Sequence, residues 1–418
     1  MSTKLIKRIL NVNGVVFGKE IVGAGSITFR CRLKKGKACH CGVCGRKCKY
    51  YDSGREKRTW RTLDLGVQKA FVEMSTYRVI CPNCGVRTVK VPWADLKSGF
   101  SLTFEQQVAW LACCASKTAV AKQMRISWNP VGEIIARVYS RLDIHPVRRF
   151  DGLRRIGIDE TSYKKGHKYV TVVVDHDRRR VIWVHEGYGK DVLKKFMEKL
   201  TREQRAAIKE VSCDGAGWIK ESIEKYLPDA GRCVDFFHVV QWATEAMDRV
   251  RKDAWHEARR TAEEIKGSKY AFGKAPENLT GKQRENRDLA MMRDPRLGRA
   301  YLMKEELRLL LKSDGKEAPA RLDSWMGWAR RSRIKPMVEL YYKIKRNYDG
   351  ILASVRNGIS NARIEAINNR IKLIIRMAYG FRNMENMKAM IMLCCSDIEV
   401  NIAYRWAKDQ GLLLQNAA

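Results

Sequence analysis

Two short runs, Arg155-Ile-Gly-Ile-Asp159 and Val211-Ser-Cys-Asp214, decide the fold of the 418-residue chain. Each is an apolar strand-like stretch that ends on a carboxylate. Burying an unpaired carboxylate is costly, and a bound cation offsets that cost. Around them the pattern predicts strands at Arg155–Asp159, Tyr169–Asp175, Val181–Glu186, Glu210–Cys213 and Arg232–Asp235. The turn His176-Asp177-Arg178 joins the second and third as a hairpin. Helices fit Lys190–Leu200 and Gly217–Tyr226, and a long one starts near Phe237. Three strands, a helix, a strand ending in Asp, a helix and a strand is the order of a ribonuclease-H-like mixed sheet. In that order Asp159 and Asp214 fall on neighbouring strands.

A third carboxylate is expected from a later helix. In Ser360-Asn-Ala-Arg-Ile-Glu365-Ala-Ile-Asn-Asn-Arg-Ile-Lys-Leu-Ile-Ile, the residues Ile364, Ile367, Ile371 and Ile374 form an apolar stripe, and Glu365 lies beside it. Asp159, Asp214 and Glu365 together suit two Mg²⁺ or Mn²⁺ ions about 4 Å apart, because carboxylate oxygens match hard cations. Each has a plainer reading: strand-end aspartates cap turns, and Glu365 reads equally as a solvated helix residue. Asp235-Phe-Phe-His238 follows the fifth strand. Asp235 competes with Asp214 as second ligand, and His238 either orients a phosphate or carboxylate or closes a helix start. Arg363, Arg370, Lys372, Arg376 and Arg382 flank Glu365, and Lys164, Lys165 and Lys168 follow Asp159. They read as phosphate contacts or as a solvated basic face.

The balance of 81 Lys+Arg against 46 Asp+Glu, a net +35, points to a polyanionic partner. DNA fits better than a membrane surface, since no apolar run is long enough to span one. No cleavable signal pattern follows the basic start, so a cytoplasmic location is expected. Seven of the 13 cysteines fall between Cys31 and Cys84. Cys41-Gly-Val-Cys44 and Cys81-Pro-Asn-Cys84 are two knuckles, each followed by glycine, and four such thiolates make a closed structural Zn²⁺ site. Cys39, His40 and Cys48 crowd the first knuckle. The pairs Cys113-Cys114 and Cys394-Cys395, with Cys213 and Cys233, are expected to be small buried hydrophobes.

Between the zinc region and the sheet, residues 117–135 have the pattern of a helix-turn-helix. Ala121 suits a close crossing, Ser127 suits a cap, and Val131, Ile134 and Ile135 form a buried face. On that reading Asn129 and Arg137 face the major groove; the alternative is a plain helical pair. The expected organisation is a β-rich zinc-ribbon region at 1–98, a helix-turn-helix domain at 99–150 and the first part of the catalytic core at 151–240. A helical insertion at 241–355 and core helices carrying Glu365 at 356–418 complete it.

Several long blocks carry a resemblance: Gly157-Ile-Asp159-Glu-Thr-Ser-Tyr-Lys-Lys-Gly-His167-Lys-Tyr169, Ser212-Cys-Asp214, Val234-Asp235-Phe-Phe-His238-Val239, residues 360–372, and Ala378-Tyr379-Gly380-Phe381-Arg382. Over nearly its whole length the chain resembles the ISL3 family of bacterial insertion-sequence transposases. The resemblance implies a ribonuclease-H-like core interrupted by an all-helical insertion before the final Glu, and an acidic triad matching Asp159, Asp214 and Glu365. It implies an enzyme that binds terminal inverted repeats, hydrolyses strand ends and joins 3′-hydroxyls to target DNA. A homodimer is expected, because two ends must be synapsed. Competing readings are a ribonuclease-H-like nuclease or resolvase, and a zinc/helix-turn-helix regulator with a degenerate core. The intact acidic trio argues against the regulator.

Overall fold

The computed structural model describes residues 6, 10, 14–54, 57–357, 362–403, 405 and 409, with the side chains of 362 and 363 excepted. The chain divides into two compact units, Met1–Ile144 with Arg376–Ala418, and His145–Ile375.

The first unit begins with strands β1 (Val15–Gly23), β2 (Ser26–Leu33), β3 (Lys49–Asp52), β4 (Lys57–Leu65), β5 (Gln68–Ser75), β6 (Arg78–Cys81) and β7 (Gly85–Thr88). They form one sheet in the order β1-β2-β5-β4 and another in the order β3-β6-β7. Strand periodicity sets the buried face. Along β5, Ala70, Val72 and Met74 are buried while the residues between them are not. Trp60 and Trp93 meet edge to face at 5.3 Å in the core, and Cys41 and Cys81 belong to the same buried cluster. Helices α1 (Leu102–Cys114), α2 (Lys117–Gln123) and α3 (Trp128–Leu142) follow. Ser101 and Ser116 cap the first two, accepting from the backbone N–H of Phe104 and Ala119. Ser127 occupies the cap position of α3 without a side-chain cap bond. Val131, Ile134 and Ile135 are buried as expected.

The second unit is built on β8 (Arg155–Lys164), β9 (Lys168–Asp175), β10 (Arg180–Glu186), β11 (Glu210–Cys213) and β12 (Gly231–Val234). Helices α4 (Lys190–Met197) and α5 (Arg202–Ala207) lie between β10 and β11, and α6 (Gly217–Tyr226) lies between β11 and β12. The sheet order is β10-β9-β8-β11-β12. β8, β9 and β10 are antiparallel neighbours, whereas β11 runs parallel to both β8 and β12. Every residue of β9 from Val170 to Asp175 is buried, Thr171 included, as in a strand covered on both faces. Ile156, Ile158, Val211, Phe196 and Ile223 share one cluster on one side of the sheet.

Past β12, the described residues from 236 to 357 contain no strand. They form α7 (Phe236–Glu257), α8 (Glu263–Gly267), α9 (Lys269–Gly273), α10 (Gly281–Arg293), α11 (Pro295–Leu310), α12 (Ala318–Arg331), α13 (Lys335–Arg346) and α14 (Tyr348–Asn357). Their apolar faces close around Trp325, Leu307, Met303 and Ile344, all at most 1% exposed. Helix α15 (Ala362–Met377) then carries Glu365, and α16 (Met384–Cys395) ends the described helices longer than one turn.

The expected module 356–418 is divided, because residues 376–418 belong to the first unit. The reason lies in α16, where every residue from Ala389 to Cys395 is buried. A helical stretch that is apolar all round must be covered on more than one side, and α1 and α3 cover this one. Asn386 on α16 approaches so closely that a Cβ on Gly132 of α3 would lie 2.5 Å from its amide nitrogen. The expectation for one cysteine pair is corrected: at the end of α1, Cys113 is half-buried and Cys114 exposed, whereas Cys213, Cys233, Cys394 and Cys395 are buried.

Candidate active site

Asp159 lies on β8, and the parallel register pairs Ser212 with Gly157. Asp214, two residues beyond Ser212, therefore follows β11 at the level of Asp159. Asp159 accepts at Oδ1 from the Glu160 N–H, at 2.7 Å. At Oδ2 it accepts from Nδ2 of Asn368, at 2.5 Å. Burial pushes its carboxyl pKa up, against the opposing pull of the Glu160 N–H, His238 and Asn368. Asp214 accepts from the Ala216 N–H at 2.9 Å, which aims its carboxylate along the turn into α6.

Glu160 joins this acidic group. Burial, then the charges of Asp214 and Asp159, raise its pKa to about 7. Its Oε1 is buried with no hydrogen-bond partner. Asn368 Oδ1 is buried and unpartnered in the same way. These are hard oxygens near two further carboxylates, the donor set a divalent Mg²⁺ or Mn²⁺ ion accepts. In chemical kind, these oxygens fit a divalent metal ion.

Glu365 is exposed, in the first turn of α15. Ile364, Ile371 and Ile374 are buried, so the apolar stripe is realised and Glu365 stands beside it. Among the described residues Asp159, Asp214 and Glu365 are not gathered within ligand distance of one point. What ties α15 to β8 is Ile364 against Gly157 and Asn368 against Asp159. Gly157 is required there, because a Cβ would sit 2.1 Å from Ile364 Cδ1 and 2.8 Å from His176 Nε2. Gly157→Val is expected to push α15 off the sheet and destabilise the chain by about 1–3 kcal/mol. Urea denaturation checks this, and an unchanged midpoint would refute the packing argument.

Asp235 is the N-cap of α7, accepting from the Phe237 N–H at 3.0 Å. Its other oxygen lies 3.9 Å from His238 Nε2. His238 thus reaches both the cap and, electrostatically, Asp159. On the other flank, the Trp242 ring lies against Gly215, so close that a Cβ there would be 2.3 Å from it. Lys343 Nζ sits 4.2 Å over that ring. Burial lowers the Lys343 pKa, opposed by the charges of Glu245 and Asp214.

In the first unit, the sulfurs of Cys41, Cys44, Cys81 and Cys84 all lie within 4.8 Å of one another. Sulfurs tetrahedrally placed about 2.3 Å from one Zn²⁺ would be about 3.8 Å apart, so the cluster fits that ion. Gly45 and Gly85 have φ of +71° and +70°, the left-handed turn each knuckle needs. Burial opposes ionisation of Cys81, but the N–H groups of Asn83 and Cys84 and the Cys44 and Cys48 thiols lower its pKa to about 6. Of the crowding residues, His40 Nδ1 bonds Ala38 O at 3.0 Å, and the Cys48 thiol donates to Arg46 O at 3.2 Å while also touching the Cys81 sulfur.

On the helix-turn-helix, Asn129 is exposed at the start of α3, beside Trp128, whose ring carries Lys117 Nζ at 3.2 Å. Arg137 has a different engagement from the one expected. Its Nε donates at 2.7 Å to Glu105, which is fully buried. Arg141 binds the same carboxylate at 3.0 Å. The pair offsets the burial of Glu105 and locks α3 to α1. Arg370, Lys372, Arg376 and Arg382 are exposed, while the side chain of Arg363 and all of Ser360 and Asn361 lie outside the described residues.

Aspartates side by side in one unit, with a four-cysteine cluster and a helix-turn-helix pattern in the other, are features of a DDE-type transposase. Comparison with known proteins makes the family specific. The model described as a transposase matches residues 156–391. The helix-turn-helix domain of transposase family ISL3 matches residues 89–139, and the zinc-finger of transposases IS204/IS1001/IS1096/IS1165 matches residues 37–91. The chain is 42% identical over 407 residues to the transposase for insertion sequence element IS1557 of Mycobacterium tuberculosis, in strains CDC 1551 / Oshkosh and ATCC 25618 / H37Rv, covering 91% of each protein. It is 28% identical over 351 residues to the transposase for IS1001 of Bordetella parapertussis, covering 82% of this chain and 86% of that one. The chain belongs to the transposase family ISL3, and is an insertion-sequence transposase.

Proposed function

We propose that the five-stranded sheet is a ribonuclease-H-like core whose Asp159, Asp214 and Glu365 hold two Mg²⁺ or Mn²⁺ ions. The observation that carries this is the sheet order β10-β9-β8-β11-β12, with β11 parallel to β8, which puts Asp159 and Asp214 side by side. Two such ions supply an activated attacking oxygen and stabilise the leaving oxygen of the phosphodiester. Asp159 and Asp214 provide negative charge from the sheet. Glu365, exposed on the helix fastened to Asp159 by Asn368, completes the set when DNA and metal draw it in. His238 is suited to orient a phosphate or Asp159, and Asp235 serves as the helix cap rather than a ligand. Cys41, Cys44, Cys81 and Cys84 hold one structural Zn²⁺.

The substrate is double-stranded DNA: terminal inverted repeats bound by the ribbon and helix-turn-helix, then target DNA joined to the freed 3′-hydroxyl. Asn129 reads a groove from the start of α3, while Arg370, Lys372 and Arg376, with Arg363, meet phosphates. Arg137 is left out of the groove contacts because buried Glu105 engages it. The functional modules are 1–98, 99–150, 151–240, 241–355 and the Glu365 segment beginning at 356, with 376–418 serving the recognition unit. Synapsis of two ends calls for a homodimer, and a DNA substrate in a bacterial cell places the chain in the cytoplasm. Among the described residues no helix is long and apolar enough to cross a membrane.

A net charge of +35 predicts many neutralised phosphates. End binding is expected to weaken about 10³-fold or more between roughly 50 and 200 mM salt. Fluorescence anisotropy on labelled end DNA tests this, and a flat salt response would count against charge-driven binding. Incubating the chain with end DNA and Mg²⁺, and reading nicked and joined products, tests the function itself.

A further inference from the structure

Asn368 has a buried group that the acidic trio leaves unexplained. It lies three residues beyond Glu365 on α15, so the two side chains are neighbours on the helix. Asn368 is 7% exposed, and its Nδ2 donates to Asp159 Oδ2 at 2.5 Å. An ionised carboxylate only accepts hydrogen bonds, so this contact fixes which end of the amide faces Asp159. The carbonyl Oδ1 is then left buried without a hydrogen-bond partner. Leaving such a group unsatisfied costs stability, and one that persists calls for an explanation. A purely mechanical clip between α15 and β8 would need only the N–H end. A neutral amide oxygen is a ligand that hard divalent cations take readily, directly or through their bound water.

We propose that Asn368 belongs to the metal-holding set: its amide N–H fixes Asp159, and its carbonyl oxygen serves as a neutral ligand, direct or through one water, to the divalent ion bound there. The proposal rests on the assignment of Asp159 as a metal ligand. It gives α15 two contributions, the charge of Glu365 and the neutral oxygen of Asn368.

The test is Mn²⁺ binding by the full-length, zinc-loaded chain without DNA, following the electron paramagnetic resonance signal of free Mn²⁺. Wild type, Asp159→Asn, Asn368→Ala and Asn368→Asp are compared, with circular dichroism to verify folding. Asp159→Asn is expected to lose the site. Asn368→Ala is expected to raise half-saturating Mn²⁺ by about ten-fold or more, in the range seen when groups supporting metal ligands are removed. Asn368→Asp has the same shape, so it keeps the test decisive if the alanine variant does not fold. It places a second carboxylate against Asp159, and Mn²⁺ is expected to raise its melting temperature by more than it raises wild type's. Loss of Mn²⁺ by Asp159→Asn with wild-type binding by Asn368→Ala overturns the proposal. So does an Asn368→Asp melting shift no larger than wild type's. Wild-type binding by Asp159→Asn instead overturns the underlying ligand assignment, a distinct outcome.

Discussion

Asp159→Asn is expected to abolish strand cleavage, by at least about a thousand-fold, while leaving end binding near its wild-type level. The substitution keeps the shape of the side chain and an oxygen for the Glu160 N–H, which Asp159 binds at 2.7 Å. It removes the charge that would hold metal at the centre of the sheet. Asp159 belongs to the second unit, whereas the helix-turn-helix and the four cysteines belong to the first, so recognition is spared. Gel mobility shift and denaturing gels on the same end fragment separate the two properties. Cleavage at the wild-type rate would remove Asp159 from the chemistry.

Cys41→Ser is expected to produce the second-largest effect, on binding rather than on chemistry. Cys41 is fully buried in the cluster that includes Phe29, Trp60 and Cys81. Its backbone N–H donates to Arg46 O at 2.8 Å, closing the first knuckle. A structural zinc site contributes folding free energy directly, and three thiolates hold the ion less well than four. Zinc measured by atomic absorption should fall from one per chain toward zero, the melting transition should drop, and end affinity should weaken by about ten-fold or more. A strong chelator should act on wild type in the same direction. Full zinc occupancy in the variant would show that the ligands lie elsewhere.

Local patterns carried the sheet and its two aspartates into view, because both depend on short-range signals. Apolar runs that end in Asp159 and Asp214 mark strand ends, and the β8, β9 and β10 hairpins follow from turn residues such as His176-Asp177-Arg178. The knuckle pair was legible for the same reason, since spacing and glycine specify each turn. Long-range pairing was not. Glu105 lies 32 residues before Arg137 in the same unit, and nothing in α3 alone says that the arginine turns inward to it. Trp242 and Lys343 gather beside Asp214 from two helices a hundred residues apart, with no motif to join them. Asn368 had a faint signal, its helical spacing from Glu365, but its contact with Asp159 spans 209 residues. The apolar second half of α16, Ala389–Cys395, suits a buried segment without naming α1 and α3 as its cover.

As an insertion-sequence transposase, this chain is expected to cut and join DNA by metal-dependent transfer on its acidic site. The most direct measurement is product analysis after incubating purified chain with its terminal inverted-repeat DNA, a target duplex and Mg²⁺. The expected result is a nick that exposes a 3′-hydroxyl, followed by a joined end–target product, with all DNA remaining free of protein after denaturation. DNA left covalently attached to the chain, or nicking and joining that proceed unchanged in excess chelator, would contradict it.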